Sequence, residues 1–163
     1  MTDQPEERRA ILRIHAVWQR LAKDRLPSPS ALDPKDFAGD WSKCLIVPIE
    51  HDNGEPRGLR DEGLDRNIPQ QRLACMLLSL GQRHISRVLA TGQPVGYGGT
   101  ASYDGIDILY RIVLLPLSDD GTQMDALLVG LTHREVPPAN ELLVSDIAWC
   151  KSPLNFARAG EAK

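Results

Sequence analysis

The residues of this chain that are able to do chemistry are scattered rather than gathered into a motif. Cys44, Cys75 and Cys150 lie far apart and form neither a CxxC pair nor a zinc-ligand spacing. No GxSxG elbow presents a nucleophilic serine. The glycine-rich stretch 92–99 matches neither phosphate-binding pattern, GxxxxGK[ST] or GxGxxG. We therefore expect no catalytic residue, no metal site and no enzymatic activity, with the cysteines reduced and buried.

Two polar residues stand out because each interrupts an apolar pattern. His84 falls inside the apolar arc of a predicted helix, one turn from Leu80 and Val88. Its position is compatible with a hydrogen-bonded core histidine or with a residue that lines a pocket. Arg111 lies in the middle of an apolar run, where a charge is costly unless it is paired or exposed. One interpretation packs its stem on the sheet with its head in solvent. The alternative pairs it with a carboxylate of the N-terminal helix or with a ligand anion.

Arg111 belongs to the stretch Asp104–Glu135, which is predicted to form a β-hairpin. Both parities of its first arm are mainly apolar, so the strand is expected near the centre of a sheet, covered on both faces. The sequence Asp119-Asp120-Gly121 supplies a turn, with Gly121 free to take a positive φ.

His84 belongs to a second strong element, a helix predicted over Gln70–Ala90. The helix has one broad apolar face and a basic back, which is typical of a helix that lies on a sheet. Gly92 is its expected C-cap, with Pro94 just beyond. Val95–Tyr103 then reads as a strand loosened by glycines and leading into the hairpin.

The N-terminal segment Glu6–Asp24 is predicted as an amphipathic helix. Ile11, Ile14, Trp18 and Leu21 are spaced three and four residues apart and form one apolar stripe. A single helix is marginal alone, so the stripe must pack on something. Packing on the chain's own sheet and contact with a second copy are both open, and the two are compatible.

The remaining segments are shorter. The first three are a linker at Arg25–Asp33, a short helix from Pro34 to about Trp41 with Asp33 as its N-cap, and a short strand in Ser42–Glu50 that either lies at a sheet edge or ends at Pro48. They are followed by a weak second strand in Glu55–Gly63, a loop at Asp61–Pro69, a short helix at Ala139–Trp149 and a frayed end at Phe156–Lys163.

Composition narrows the class of protein. The chain has 163 residues, of which 42% are hydrophobic and 25% charged, as in ordinary globular proteins. Its net charge of -3 argues against a nucleic-acid partner, which favours a basic surface. No apolar run is long enough for a membrane helix, and the charged N-terminus lacks the apolar core of a signal peptide. We expect a cytoplasmic protein.

Several short motifs follow one another along the chain: the Trp18 helix followed by Leu26-Pro27 and Leu32-Asp33-Pro34, then Arg87–Pro94, Leu109–Arg111, Leu115–Gly121, Leu128 and Gly130. Taken in order, they resemble the single-domain PAS proteins common in alphaproteobacteria. The resemblance spans roughly Ile11 to Glu135.

The resemblance implies an α+β fold, a PAS-like five-stranded antiparallel sheet with flanking helices, preceded by the N-terminal amphipathic helix. It divides the chain into an N-terminal helix and linker (1–33), a PAS-like domain (34–136) and a C-terminal extension (137–163). The segment Pro56–Leu64 departs from the family, because it lacks the aromatic strand usually found there.

A PAS-like fold also implies a ligand pocket between the long helix and the sheet. The residues expected to line it are Leu77, Gly81, His84, Val88, Tyr110, Ile112 and Leu114. Haem-binding relatives carry their axial histidine one turn upstream of His84, where this chain has Gly81, so haem is not expected. Flavin is not expected either, because no Asn-Cys-Arg-Phe-Leu-type stretch is present.

The predicted function is that of a stand-alone sensor or adaptor in signal transduction, which binds a small ligand, a signalling partner or both. The alternative is a pure dimerisation module with a filled core. The expected assembly is a homodimer, and the residues predicted for a dimer or partner contact are Ile11, Ile14, Trp18, Leu21 and Arg111.

Overall fold

The computed structural model describes residues 6–60, 63–136 and 157–158. Its helices are α1 (Glu6–Leu21), α2 (Pro34–Phe37), α3 (Pro69–Leu80) and α4 (Gln82–Thr91), with 3-10 turns at Pro29–Ala31 and Ala38–Lys43. Its strands are β1 (Cys44–Asp52), β2 (Glu55–Leu59), β3 (Val95–Tyr103), β4 (Ile106–Leu117), β5 (Ala126–Glu135) and β6 (Ala157–Arg158). The weak second strand is thus present but ends at Leu59, short of the predicted Gly63.

Five antiparallel strands form the sheet in the order β2-β1-β5-β4-β3, and the two-residue β6 lies parallel to β3 at its edge. Helices flank this sheet, so the architecture is the α+β, PAS-like fold that the sequence predicts. The β4–β5 hairpin is confirmed, with Ile112 opposite Leu131. β4 lies between β5 and β3, and its residues 108–117 are all buried. Gly121 has φ +83°, as its turn requires.

Both alternatives predicted for β1 are wrong, because β1 lies between β2 and β5 and continues past Pro48 to Asp52. Pro48 is the last residue that pairs with β5, opposite Ala126, and the pairing with β2 begins at Ile49. The missing amide of Pro48 therefore falls where the strand changes partner. Its carbonyl still accepts a hydrogen bond from the Arg60 amide at 2.8 Å. The proline therefore removes only the reciprocal bond to Arg60, at the end of the β1–β2 pairing, where its cost is small.

The two faces of the sheet carry separate apolar clusters. One lies under α3 and α4, and we call this the α3–α4 face; its β4 members are Ile108, Tyr110, Ile112 and Leu114. The other lies under α1, the α1 face; its β4 members are Val113, Leu115 and Leu117. Alternation of side chains along β4 therefore sends every second residue to a different helix layer.

The described part of the chain contains no helix long and apolar enough to cross a membrane. The short helix predicted at Ala139–Trp149, the residue Cys150 and the C-terminal extension lie outside the described residues, except for the backbone of β6. The predicted frayed end at Phe156–Lys163 likewise overlaps the described residues only at Ala157–Arg158, which form β6.

Candidate functional site

The predicted pocket residues are brought together between the helices and the sheet. Leu77 comes from α3, His84 and Val88 from α4, and Tyr110, Ile112 and Leu114 from β4. All of them are buried, and Gly81 is buried at the junction of the two helices. The region is mostly apolar, so its few polar atoms decide what it can do chemically.

Sequence reasoning missed the central residue of this region, Tyr97 on β3. Its ring stacks on His84 with centroids 4.5 Å apart and an interplanar angle of 9°. Tyr110 meets the same ring edge-on at 6.3 Å and 83°. We call His84, Tyr97 and Tyr110 the aromatic cluster. The signal for Tyr97 was its place among Gly96, Gly98 and Gly99, where it alone offers a large side chain.

The helix predicted over Gln70–Ala90 is in fact two helices, α3 and α4, broken at Gly81. The Gly81 amide bonds to the Leu78 carbonyl at 3.1 Å instead of to Leu77, so the Leu77 carbonyl loses its ordinary helical donor. The Tyr97 hydroxyl donates to that carbonyl at 3.1 Å. A Cβ at Gly81 would lie 2.6 Å from Cε2 of Tyr97. The break therefore has a specific cause, the insertion of a side chain against a glycine.

The Tyr110 hydroxyl is the most informative polar atom of the cluster. It is completely buried and finds no hydrogen-bond partner among the described residues. Burial raises the pKa of Tyr110 to about 12 and raises the pKa of Tyr97 even further, so both hydroxyls stay protonated at neutral pH. A protonated phenol can donate one hydrogen bond and accept others. The Tyr97 hydroxyl donates to the Leu77 carbonyl, whereas the Tyr110 hydroxyl has no acceptor among the described residues and can donate to a bound molecule.

The residues predicted for a dimer contact lie on the chain's own sheet. Ile11 and Ile14 have no exposed surface and Trp18 is 6% exposed, all three within the apolar cluster of the α1 face. The Trp18 indole Nε1 donates to the Pro116 carbonyl of β4 at 2.9 Å. These side chains are thus covered by the chain's own sheet, and a contact with a second copy through α1 stays a prediction. Leu21, at the end of the helix, packs against the same cluster and is only partly buried.

Arg111 is buried, although the solvent-facing interpretation requires its guanidinium to be exposed. It is 1% exposed on the α1 face, between Gly98 of β3 and Thr132 of β5. Its guanidinium does not reach solvent, so that interpretation is wrong, whereas its part in a dimer or partner contact stays a prediction. Pairing with an anionic group inside the fold stays a prediction.

An ionic cluster fastens α1 to the start of β1. Arg13 donates to both carboxylate oxygens of Asp40, at 2.7 and 2.9 Å, and Lys43 approaches at 3.5 Å. Asp40 is 5% exposed, and the Arg13 hydrogen bond holds the pKa of its carboxyl below the usual value. Burial raises the pKa of the neighbouring Cys44 thiol to about 12, which makes it unreactive at neutral pH. The cluster therefore has a structural role.

A cavity of about 800 Å³ lies away from the aromatic cluster, open to solvent beside the C-terminal end of α1. Its walls come from α1, the following turn, the α4–β3 connection and the β4–β5 turn. The side chains that give it chemical character are Trp18, Lys23, Asp24, Arg25 and Leu26. Cations, a carboxylate and apolar surface meet there without a clear preference for one kind of ligand.

Among the described residues, no group of three or more histidine, cysteine, aspartate or glutamate side chains is placed to hold a metal ion. The buried aromatic cluster and the open cavity beside α1 are thus candidate sites for a ligand. Comparison with family models, with curated proteins and with solved structures finds no match to this chain.

Proposed function

We propose that this chain is a PAS-like sensor or adaptor domain in signal transduction, and that it takes a small ligand between the α3–α4 layer and the sheet. The observation that carries the proposal is the aromatic cluster, above all the buried Tyr110 hydroxyl with no partner among the described residues. The fold and the PAS resemblance add support by analogy, which fixes no ligand by itself.

The composition of this region suits a ligand site. Small-molecule sites are typically apolar with a few well-placed polar groups, and the region combines Leu77, Val88 and Ile112 with three polar aromatic rings. An unsatisfied buried hydroxyl costs about 1–3 kcal/mol of stability. A hydrogen bond to a bound molecule removes this cost.

Native mass spectrometry of the purified protein tests the proposal. We expect a bound small mass that denaturation removes, and we expect the substitution Tyr110→Phe to abolish it. The Tyr103→Phe variant is the matched control, because it deletes a hydroxyl that accepts from Arg72 at the surface of the same fold. Thermal unfolding with a panel of metabolites should show stabilisation of the parent protein and of Tyr103→Phe.

The same variant separates a ligand site from an ordinary core. Without ligand, Tyr110→Phe should raise the free energy of unfolding by about 1 kcal/mol, because an unsatisfied hydroxyl is removed. A parent protein with no bound mass and no response to any compound of the panel would contradict ligand binding.

The second candidate is a pure protein-interaction module. The open cavity beside α1 favours it, because this surface lies on the outside of the fold. Exposed apolar side chains elsewhere, such as Ile46 and Leu80, favour it as well. Light scattering at micromolar concentration tests self-association. A dimer that persists in the Tyr110→Phe variant while no ligand is found would favour this function over sensing.

A further inference from the structure

A side chain from the sheet packs against the break between α3 and α4. Tyr97 contacts both sides of the break: its hydroxyl bonds to the carbonyl of Leu77 in α3, and its ring stacks on His84 in α4. Between these two contacts, the ring occupies the place that a Cβ of Gly81 would need. The relative orientation of the two helices therefore depends on where this ring lies.

The hydroxyl bond matters because the break removes the ordinary donor of the Leu77 carbonyl. Leu77 has no exposed surface, so its carbonyl has no ready access to water if Tyr97 moves. Buried carbonyl groups are almost always hydrogen-bonded, and loss of the partner is costly. Gly81, at φ -110° and ψ 33°, joins the helices with a residue that has a wide choice of backbone conformations.

Tyr97 also contacts the proposed ligand site. The Tyr110 ring meets it edge-on, so a molecule that bonds to the Tyr110 hydroxyl enters beside the Tyr97 ring. Both rings have no exposed surface, so a new group placed there must displace a neighbour. Displacement of Tyr97 breaks its hydrogen bond to the Leu77 carbonyl, and the angle between α3 and α4 is then free to change.

We propose that Tyr97 is a latch that fixes the angle between α3 and α4, and that ligand binding beside Tyr110 acts on this latch. The ligand-dependent part rests on the proposed function, whereas the latch itself is a property of the unliganded chain.

Amide hydrogen exchange tests the latch. In the Tyr97→Phe variant we expect the amides of residues 78–85 to exchange about tenfold faster, because one buried hydrogen bond is lost at the break. The amides of β4 and of the last turn of α4 should keep their rates. Tyr103→Phe is again the matched control and should leave the break unchanged. Equal rates at residues 78–85 in the parent and in Tyr97→Phe, or acceleration of the whole domain alike, would overturn the latch.

A second variant tests the connection to the ligand site without a ligand. Tyr110→Trp places a larger ring against Tyr97, and we expect it to accelerate exchange at residues 78–85 as Tyr97→Phe does. If it folds poorly, the parent protein with and without its bound mass gives the same comparison. Unchanged exchange rates at residues 78–85 in either experiment would refute the coupling between the ligand site and Tyr97. If Tyr97→Phe accelerates exchange at residues 78–85 but the protein binds no ligand, the latch is supported. In that case only the proposed function is contradicted.

Discussion

The two faces of the sheet are covered in different ways. On the α1 face, one unbroken helix of 16 residues lies on an apolar surface and is held by the Trp18 bond to Pro116 and the Arg13–Asp40 ion pair. On the α3–α4 face, the covering helix is broken, and a tyrosine from the sheet enters the break. The same strand, β4, contributes to both faces.

The difference shows which layer is suited to change. The α1 face packs mainly by apolar contact, although it also holds the ionic cluster at its rim and the buried Arg111. The α3–α4 face places polar aromatic atoms inside the core, where each needs a partner. A contact that depends on one hydrogen bond can be exchanged for another, whereas an apolar layer can only be packed or unpacked. We therefore propose that the α3–α4 layer responds to a ligand, whereas α1 anchors the fold.

The largest effect is expected when one residue on each face is truncated. Ile14→Ala and Leu77→Ala should each lower the free energy of unfolding by about 4 kcal/mol, because both side chains are fully buried. Urea unfolding at several protein concentrations measures this. Stability of the Ile14→Ala variant that is independent of concentration fits packing of α1 on its own sheet. If the difference in the free energy of unfolding between parent and variant grows with protein concentration, the result would support the dimer contact.

A smaller effect is expected at the break. Gly81→Ala should cost about 3 kcal/mol, because the new methyl group collides with Tyr97. The double variant Gly81→Ala with Tyr97→Leu should recover part of this loss, which would show coupling in a double-mutant cycle. Additive losses would mean that the two residues do not act through each other.

The ionic cluster of the α1 side should show a dependence on pH. The pKa of Asp40 is lower in the folded chain than its ordinary value of 3.8, chiefly because of the Arg13 hydrogen bond. The stabilisation is therefore present above the unfolded pKa and is lost as the pH falls through the folded pKa. Asp40→Asn should cost about 2 kcal/mol at pH 7. That difference from the parent should shrink below about pH 4.

Urea unfolding at pH 7 and pH 3 measures this loss, with Asp24→Asn as the control at an exposed aspartate. A cost of Asp40→Asn that stays the same at both pH values would contradict the assignment of the ion pair.

The smallest effect is expected where α4 ends. Gly92 has φ +69°, and nothing lies within 4 Å of a Cβ built there. Gly92→Ala should therefore cost only about 1 kcal/mol, from backbone conformation and not from collision. Gly39→Ala, at an open position with ordinary φ, is the control and should be nearly neutral. A loss at Gly92 as large as that at Gly81 would weaken the contrast between the two glycines.

Much of the fold could be predicted from local patterns. The bounds of β3 coincide with the predicted Val95–Tyr103, and β4 and β5 lie within the predicted hairpin. Gly92 takes the left-handed C-cap conformation after α4. Asp33 caps α2 by accepting from the Lys35 amide at 3.0 Å. Each of these features depends on residues close together in sequence, so periodicity and turn chemistry identify it.

The sequence by itself determined where strands and helices form, because side-chain alternation, helical spacing and capping act over a few residues. Only the tertiary structure decided that the helix breaks at Gly81, because the tyrosine that bonds to Leu77 lies 20 residues further along the chain. It also decided that the stripe of Ile11 and Ile14 meets its own sheet, and that Arg111 is buried beside Gly98. An apolar stripe specifies that it must be covered, but what covers it depends on how distant parts of the chain meet.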